Sequence, residues 1–253
     1  LTSDGSHGKV KISLPAGRLI FEKRSHGRLV SGDRRRQRRS KGLAMPAVSM
    51  KDTIRQAAID LFYRKGYFAA SISEIAAASG IRKASLYHHY ESKEALLFAI
   101  LKETMDDLMA HLEACLKGIE EIEARMRAAV RGHVQFHLRR QKENFIANSE
   151  LRGLTEAHYQ AVVHRRDAYE RVFQEIIGTG RRQGVFAPGD DKILSYAILT
   201  LCTAGASWFK PDGRLSVDEI AEIYENFIIS GLKRAEGITG AVIADVSASA
   251  VRA

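Results

Sequence analysis

The sequence predicts an all-α fold: a small N-terminal three-helix head carrying a helix-turn-helix, joined to a larger helical domain. Three observations predict it. Apolar residues recur at three- and four-residue spacings from Lys51 onward, while strand-like alternation is nearly absent. The run from Ser71 to Lys93, SISEIAAASGIRKASLYHHYESK, reads as two short helices joined by a glycine turn. Glycine- and proline-bearing breaks at Gly178–Gly184, Pro188–Gly189 and Lys210–Gly213 separate the later stretches.

The first helix carries Ile54, Ala57, Ala58, Leu61 and Phe62 as one apolar stripe and stops at Gly66. Ser71 is placed to cap the second, with Glu74 at the capping-box spacing, and Gly80 breaks it. Arg82–His89 forms the third. Ser92 caps a fourth that runs through Leu96, Leu97, Ile100 and Leu101 toward Met109. Further helices are expected over residues 120–140, 142–152, 155–179, 190–209 and 216–234, the last opened by Ser216 with Glu219 in a second capping box. The domains expected are a basic, disordered leader over 1–48, a head over 49–93, a helical body over 94–236 and a loose tail over 237–253.

With 253 residues and 45% hydrophobic side chains, the chain can build one large domain or two modest ones. Its two cysteines, Cys115 and Cys202, give no disulfide framework, and a reduced, cytoplasmic setting is expected. No apolar run approaches the roughly 20 residues of a membrane helix, and the first residues lack the order of a secretory signal. The net charge of +9 has one source. Residues 1–50 hold 12 Lys or Arg against 3 acids, whereas residues 51–253 hold 27 of each. The leader, with RRRQRRSK at Arg34–Lys41, either adds non-specific phosphate contacts or is an extension before a start near Met45 or Met50. The helical part is neutral overall, so any polyanion-reading surface in it depends on placement, not on total charge.

Placement favours the third helix. Ile72, Ile75, Ala76, Ile81, Leu86 and Tyr90 supply a shared core, and small residues at Ala76–Ala78 allow close approach of the second and third helices. With Leu86 inward, Lys83, Ser85, Tyr87 and His88 point outward beside Arg82. Lys83 and Ser85 have the donors to read base edges, and Tyr87 and His88 those to hold phosphate oxygens. Ser71, with the start of its helix, and Lys93 are candidates for further phosphate contacts. The bland reading is a solvated helical face with ordinary histidines; the concentration of donors on a glycine-turned helix pair favours double-stranded DNA.

Residues 51–97 resemble the DNA-binding domain of the TetR family of bacterial transcriptional regulators, most specifically through GIRKASLYHHYESKEAL. The resemblance implies an all-helical homodimer that binds a palindromic operator and is switched by a small apolar effector held in a ligand-binding and dimerisation domain. It also aligns Tyr87, His88 and Lys93 with phosphate contacts and Lys83 and Ser85 with base readers. A single recognition helix covers few base pairs, so two heads spaced by about 34–36 Å or more are needed to read a palindrome.

In the body, small residues around Ala204 and the apolar face of Trp208, Ile220, Tyr224, Phe227 and Ile228 suit a four-helix dimer contact; the alternative is packing within one subunit. The stretch WFKPDGRLSVDEIAEIY resembles members of the family that respond to acyl-CoA thioesters of fatty-acid or sterol catabolism. Such a ligand needs cations for its phosphates, with Arg139, Arg140, Lys142 and Arg152 as candidates. It also needs an apolar channel, with Phe136, Phe145, Leu151, Tyr159 and Phe173 as candidates. A drug-responsive regulator of efflux genes is the alternative. His133 and His137 have the i, i+4 spacing of a metal pair but no evident third ligand, so no metal is assigned and no cofactor is expected. No catalytic constellation is legible, which leaves an enzyme or an interaction scaffold without a motif to support it.

Overall fold

A computed structural model describes residues 49–233. The expected leader and tail lie outside the described residues. Nine α-helices occur among those described: α1 Met50–Lys65, α2 Ile72–Ala78, α3 Lys83–Tyr87, α4 Lys93–Leu116, α5 Ile122–Arg139, α6 Gln141–Ser149, α7 Glu156–Arg182, α8 Asp191–Trp208 and α9 Val217–Leu232. A 3-10 turn at Leu151–Gly153 joins α6 to α7. The all-α fold, with a helix-turn-helix head and a larger helical body, is as the sequence predicts.

Side chains set the helix starts. Ser71 accepts from the Glu74 amide while Glu74 reaches back to Ser71, and Ser216 with Glu219 does the same for α9. Ser92 caps α4 by accepting from the Ala95 amide. Gly66 and Gly80 sit at φ 82° and 70°, a region that side chains with a Cβ rarely enter, and there the chain leaves α1 and turns between α2 and α3.

Two helices are longer than the sequence reading. α4 continues past Met109 to Leu116 because Leu112 and Leu116 keep the apolar stripe facing the core. α7 runs on through the expected break at Gly178–Gly184 as far as Arg182. The glycines there serve packing: a Cβ on Gly180 would overlap the Phe186 ring, and one on Gly178 would lie 2.8 Å from the Asp191 carboxylate. The turn itself falls at Gly184, where φ is 75°.

The apolar interior forms two clusters. The head cluster joins Ile54, Phe62, Ile75, Leu86 and Leu97 to Ile146 of α6 and Val162 of α7. The body cluster is built around α5, with Met126, Val130, Phe136 and Leu138 packed against α4, α7, α8 and α9. α5 lies most extensively along α9. There the buried Glu225 carboxylate accepts from Arg127 at 3.1 Å and Arg131 at 2.7 Å, so its charge is neutralised. α6 touches α1 on one side and α8 on another, linking head to body.

Candidate functional site

α3 is held by Leu86, which is fully buried, and by backbone bonds that close its single turn. That packing turns Arg82, Lys83, Tyr87 and His88 outward, with Ser85 half-buried among them. Tyr87 is 46% exposed, an aromatic hydroxyl presented to solvent on the same short helix as Lys83. No carboxylate forms an ion pair with Arg82 or Lys83 among the described residues, so their charges are available to a polyanion.

The other two candidates in the head are already engaged. The Ser71 hydroxyl accepts from the Glu74 amide at 3.2 Å and donates to the Glu74 carboxylate at 2.9 Å. That carboxylate also takes Lys65 at 2.5 Å, and the Lys65 and Ser71 bonds hold its pKa down at about 2. A permanent negative charge thus stands at the start of α2, where a phosphate contact was expected. Lys93 directs its ammonium at the carbonyls of Tyr67 and Ala70, both at 3.0 Å, and Phe68 at 3.5 Å. It also lies 4.4 Å from the centroid of the Tyr67 ring. Ser71 caps α2 as its spacing predicts, and Lys93 fastens the α1–α2 turn, a role that only the folded arrangement reveals.

The body candidates for a ligand do not converge on one channel. Phe136 and Phe173 are core residues. Arg139 is exposed and donates to Asp218 at 3.2 Å; Arg140 pairs with Asp107 at 2.6 Å and lies over the Phe136 ring at 4.8 Å. Phe145 stacks edge-on against Tyr63 of α1 at 5.3 Å, on the head-facing side. Lys142 beside it pairs with Asp60 of α1 at 2.5 Å. Arg152 is exposed on the 3-10 turn and Tyr159 is half-buried on α7. A cleft of about 240 Å³ opens between head and body, lined by Arg55, Ile59, Ile100, Asp107, Arg140 and Glu143. Of the residues expected to hold ligand, Arg140 alone lines it.

Deeper in the body is a polar group that the sequence offers only as a possible metal pair. His133 shares its two ring nitrogens with the Tyr169 hydroxyl at 2.9 Å and the Thr203 hydroxyl at 3.0 Å. Its ring lies 4.3 Å from that of His137. Burial pushes the His133 pKa well below the usual value and that of His137 down to about 4, so both imidazoles are neutral at pH 7. With both His133 nitrogens engaged, the pair does not offer a metal two vacant ligands. No three His, Cys, Asp or Glu side chains are grouped to hold an ion among the described residues.

On α8 and α9 the structure divides the expected pairing residues. Ile220 and Ile228 are 4% and 5% exposed and belong to the subunit's own core, as in the alternative of packing within one subunit. Tyr224 is half-buried and packs near Gly205. Ala204, Trp208 and Phe227 are exposed, and Ile193, Leu201 and Ile223 extend the same apolar display. Periodicity alone could not say which side of two broadly apolar helices faces inward.

A helix-turn-helix whose second helix is exposed, mounted on a larger helical body, is the architecture of a DNA-reading transcriptional regulator. The family model for bacterial regulatory proteins of the tetR family matches residues 54–100, and that for the tetracyclin repressor-like C-terminal domain matches residues 120–232. The TetR family regulator PfmR from Thermus thermophilus has a structure that superposes with a TM-score of 0.66 at 30% identity, over 72% of this chain and 99% of that one. The chain belongs to the TetR family. It is also similar to AibR, solved with isovaleryl coenzyme A and operator DNA, at 30% identity and a TM-score of 0.65 over 73% of this chain and 98% of that one. The transcriptional repressor KstR2 of Mycolicibacterium smegmatis is 25% identical over 191 residues, 75% of this chain and 93% of that protein. No helix among the described residues is long and apolar enough to cross a membrane.

Proposed function

We propose that the protein is a ligand-responsive transcriptional repressor that binds a palindromic operator as a homodimer and is released when the body takes up a small apolar effector. The observation that carries this reading is the outward set on α3: Arg82, Lys83, Ser85, Tyr87 and His88, donors without competing acids, on a helix anchored by Leu86. Lys83 and Ser85 read base edges, Arg82, Tyr87 and His88 hold the backbone, and Ser71 and Lys93 keep the turn beneath them in place. The exposed apolar side chains of α8 and α9 supply the pairing surface that sets the spacing of two heads. Effector release then works by population: a ligand that binds better to a body holding the heads at the wrong separation shifts the dimer off DNA.

An acyl-CoA thioester of fatty-acid or sterol catabolism is the finer reading of the effector. Its support is the similarity to AibR and KstR2 together with the Trp208–Tyr224 stretch. The test is a fluorescence-anisotropy titration of the protein against DNA from upstream of its own coding region and against a scrambled control, repeated with acyl-CoAs of several chain lengths. Salt-resistant preference for the upstream DNA, relieved by at least one acyl-CoA, is expected. Equal affinity for both DNAs removes the repressor reading; indifference to every acyl-CoA removes only the thioester.

A further inference from the structure

A polar seam crosses the body between its two apolar clusters. Phe136, Leu138 and Tyr169 belong to the body cluster, while Ile146 of α6 and Val162 of α7 belong to the head cluster. Between them in sequence, on the same helices, stand His137, Asn144 and Arg166. His137 is 8% exposed, and its Nδ1 has no hydrogen-bond partner. An orphaned buried nitrogen is costly, so packing alone gives no reason to keep it there. Asn144 is equally buried and is drawn toward α8, its amide donating weakly to the Thr203 carbonyl at 3.4 Å.

Arg166 sits half-buried on α7, one turn from Val162 and one turn from Tyr169. Its Nη2 donates to the Ala147 carbonyl at 2.6 Å, in the last turn of α6. No carboxylate pairs with this guanidinium among the described residues. A guanidinium has five N–H donors, and a backbone carbonyl occupies one of them with no charge in return. Charges of this kind inside a protein are ordinarily matched by an acid.

We infer that this seam anchors the polar end of the effector, and that this end is a carboxylate taken by Arg166 with a further hydrogen bond to His137. The inference rests on the reading that the body binds an effector and is independent of the thioester, which has no carboxylate of its own: a free acid, or a thioester bearing a second carboxyl group, would meet it. It also supplies a route to the head. A carboxylate taken by the remaining N–H groups draws the guanidinium away from the Ala147 carbonyl and so loosens the end of α6. The same helix grips α1 through Lys142 with Asp60 and Phe145 with Tyr63.

The test titrates the full chain with butyrate, benzoate and decanoate, each beside its methyl ester, and with decanoyl-CoA, reading melting temperature and operator release. At least one acid is expected to raise the melting temperature and to bind about ten-fold or more tightly than its ester. Arg166→Gln should equalise acid and ester, while Arg166→Lys, which keeps the charge without the fork, should retain part of the preference and guard against a folding defect. The inference is overturned if no acid binds the wild type, if acid and ester bind alike, or if Arg166→Gln keeps the preference. Should an ester or decanoyl-CoA release DNA while the acids do not, the carboxylate falls and the effector reading stands. If none of the compounds binds or alters DNA binding, the carboxylate falls, while the effector reading is decided by the operator titration above.

Discussion

Lys83 and Lys93 carry the same charge in the same head, but they stand in different surroundings. Lys83 is exposed on α3, whereas Lys93 ties three carbonyls of the α1–α2 turn. Lys83→Ala should therefore leave the melting temperature unchanged and reduce discrimination between operator and scrambled DNA, by about 1–3 kcal/mol if it reads a base. Lys93→Ala should lower stability by roughly 1–3 kcal/mol as those carbonyls lose their donor, and weaken binding to every DNA alike. Calorimetry alongside anisotropy separates the two, and an unaltered melt for Lys93→Ala would remove its fastening role. His137 gives a pH test. Its folded pKa of about 4 lies below the ordinary value of 6.5, so the unfolded chain takes up the proton first as pH falls. Stability from this group is fully present above about pH 6.5 and lost toward pH 4, by roughly 3 kcal/mol if the whole shift is expressed. A His137→Gln variant should show a flatter decline of melting temperature over that window.

At the scale of elements, much was legible in advance. The capped starts of α2 and α9 were readable because a hydroxyl with Glu three residues on is a local signal, and that of α4 because Ser92 directly precedes an apolar-periodic run. The continuation of α7 through Gly178 and Gly180 was not, because those glycines answer to Phe186 and Asp191, which reach them only through the turn at Gly184. Gly180→Ala, though favourable to helix propensity, should destabilise by about 1–3 kcal/mol as the new methyl displaces the Phe186 ring, measurable in a urea titration. Gly231, whose Cβ would meet nothing, is the control and should tolerate Ala without loss. α9 shows a second limit. Ile220, Tyr224, Phe227 and Ile228 read as one broad apolar face, yet the fold buries Ile220 and Ile228 and leaves Phe227 67% exposed.

For the molecule as a whole, that remaining exposure is the surface proposed for pairing. Trp208 at 53% and Phe227 at 67% are large apolar side chains left in solvent on a single chain. Trp208→Glu with Phe227→Glu should yield a folded monomer by sedimentation, with operator affinity falling steeply because one head reads too few base pairs. A variant that stays dimeric would move the pairing surface elsewhere. The reading helix was visible in sequence because its donors are contiguous. The seam was not, since His137, Asn144 and Arg166 come from three helices that only the fold aligns.

The head cluster itself has one further consequence. Ile146 and Val162, which help to close it, are supplied by α6 and α7, well beyond the last residue of α4. The three-helix reader is therefore not an autonomous folding unit: cut free after α4, its interior would be open on the side where Ile146 stood. Amide protons in the middle of α1 should exchange with solvent only as fast as α6 detaches, so the order of the reading surface is set in part by a helix outside the head.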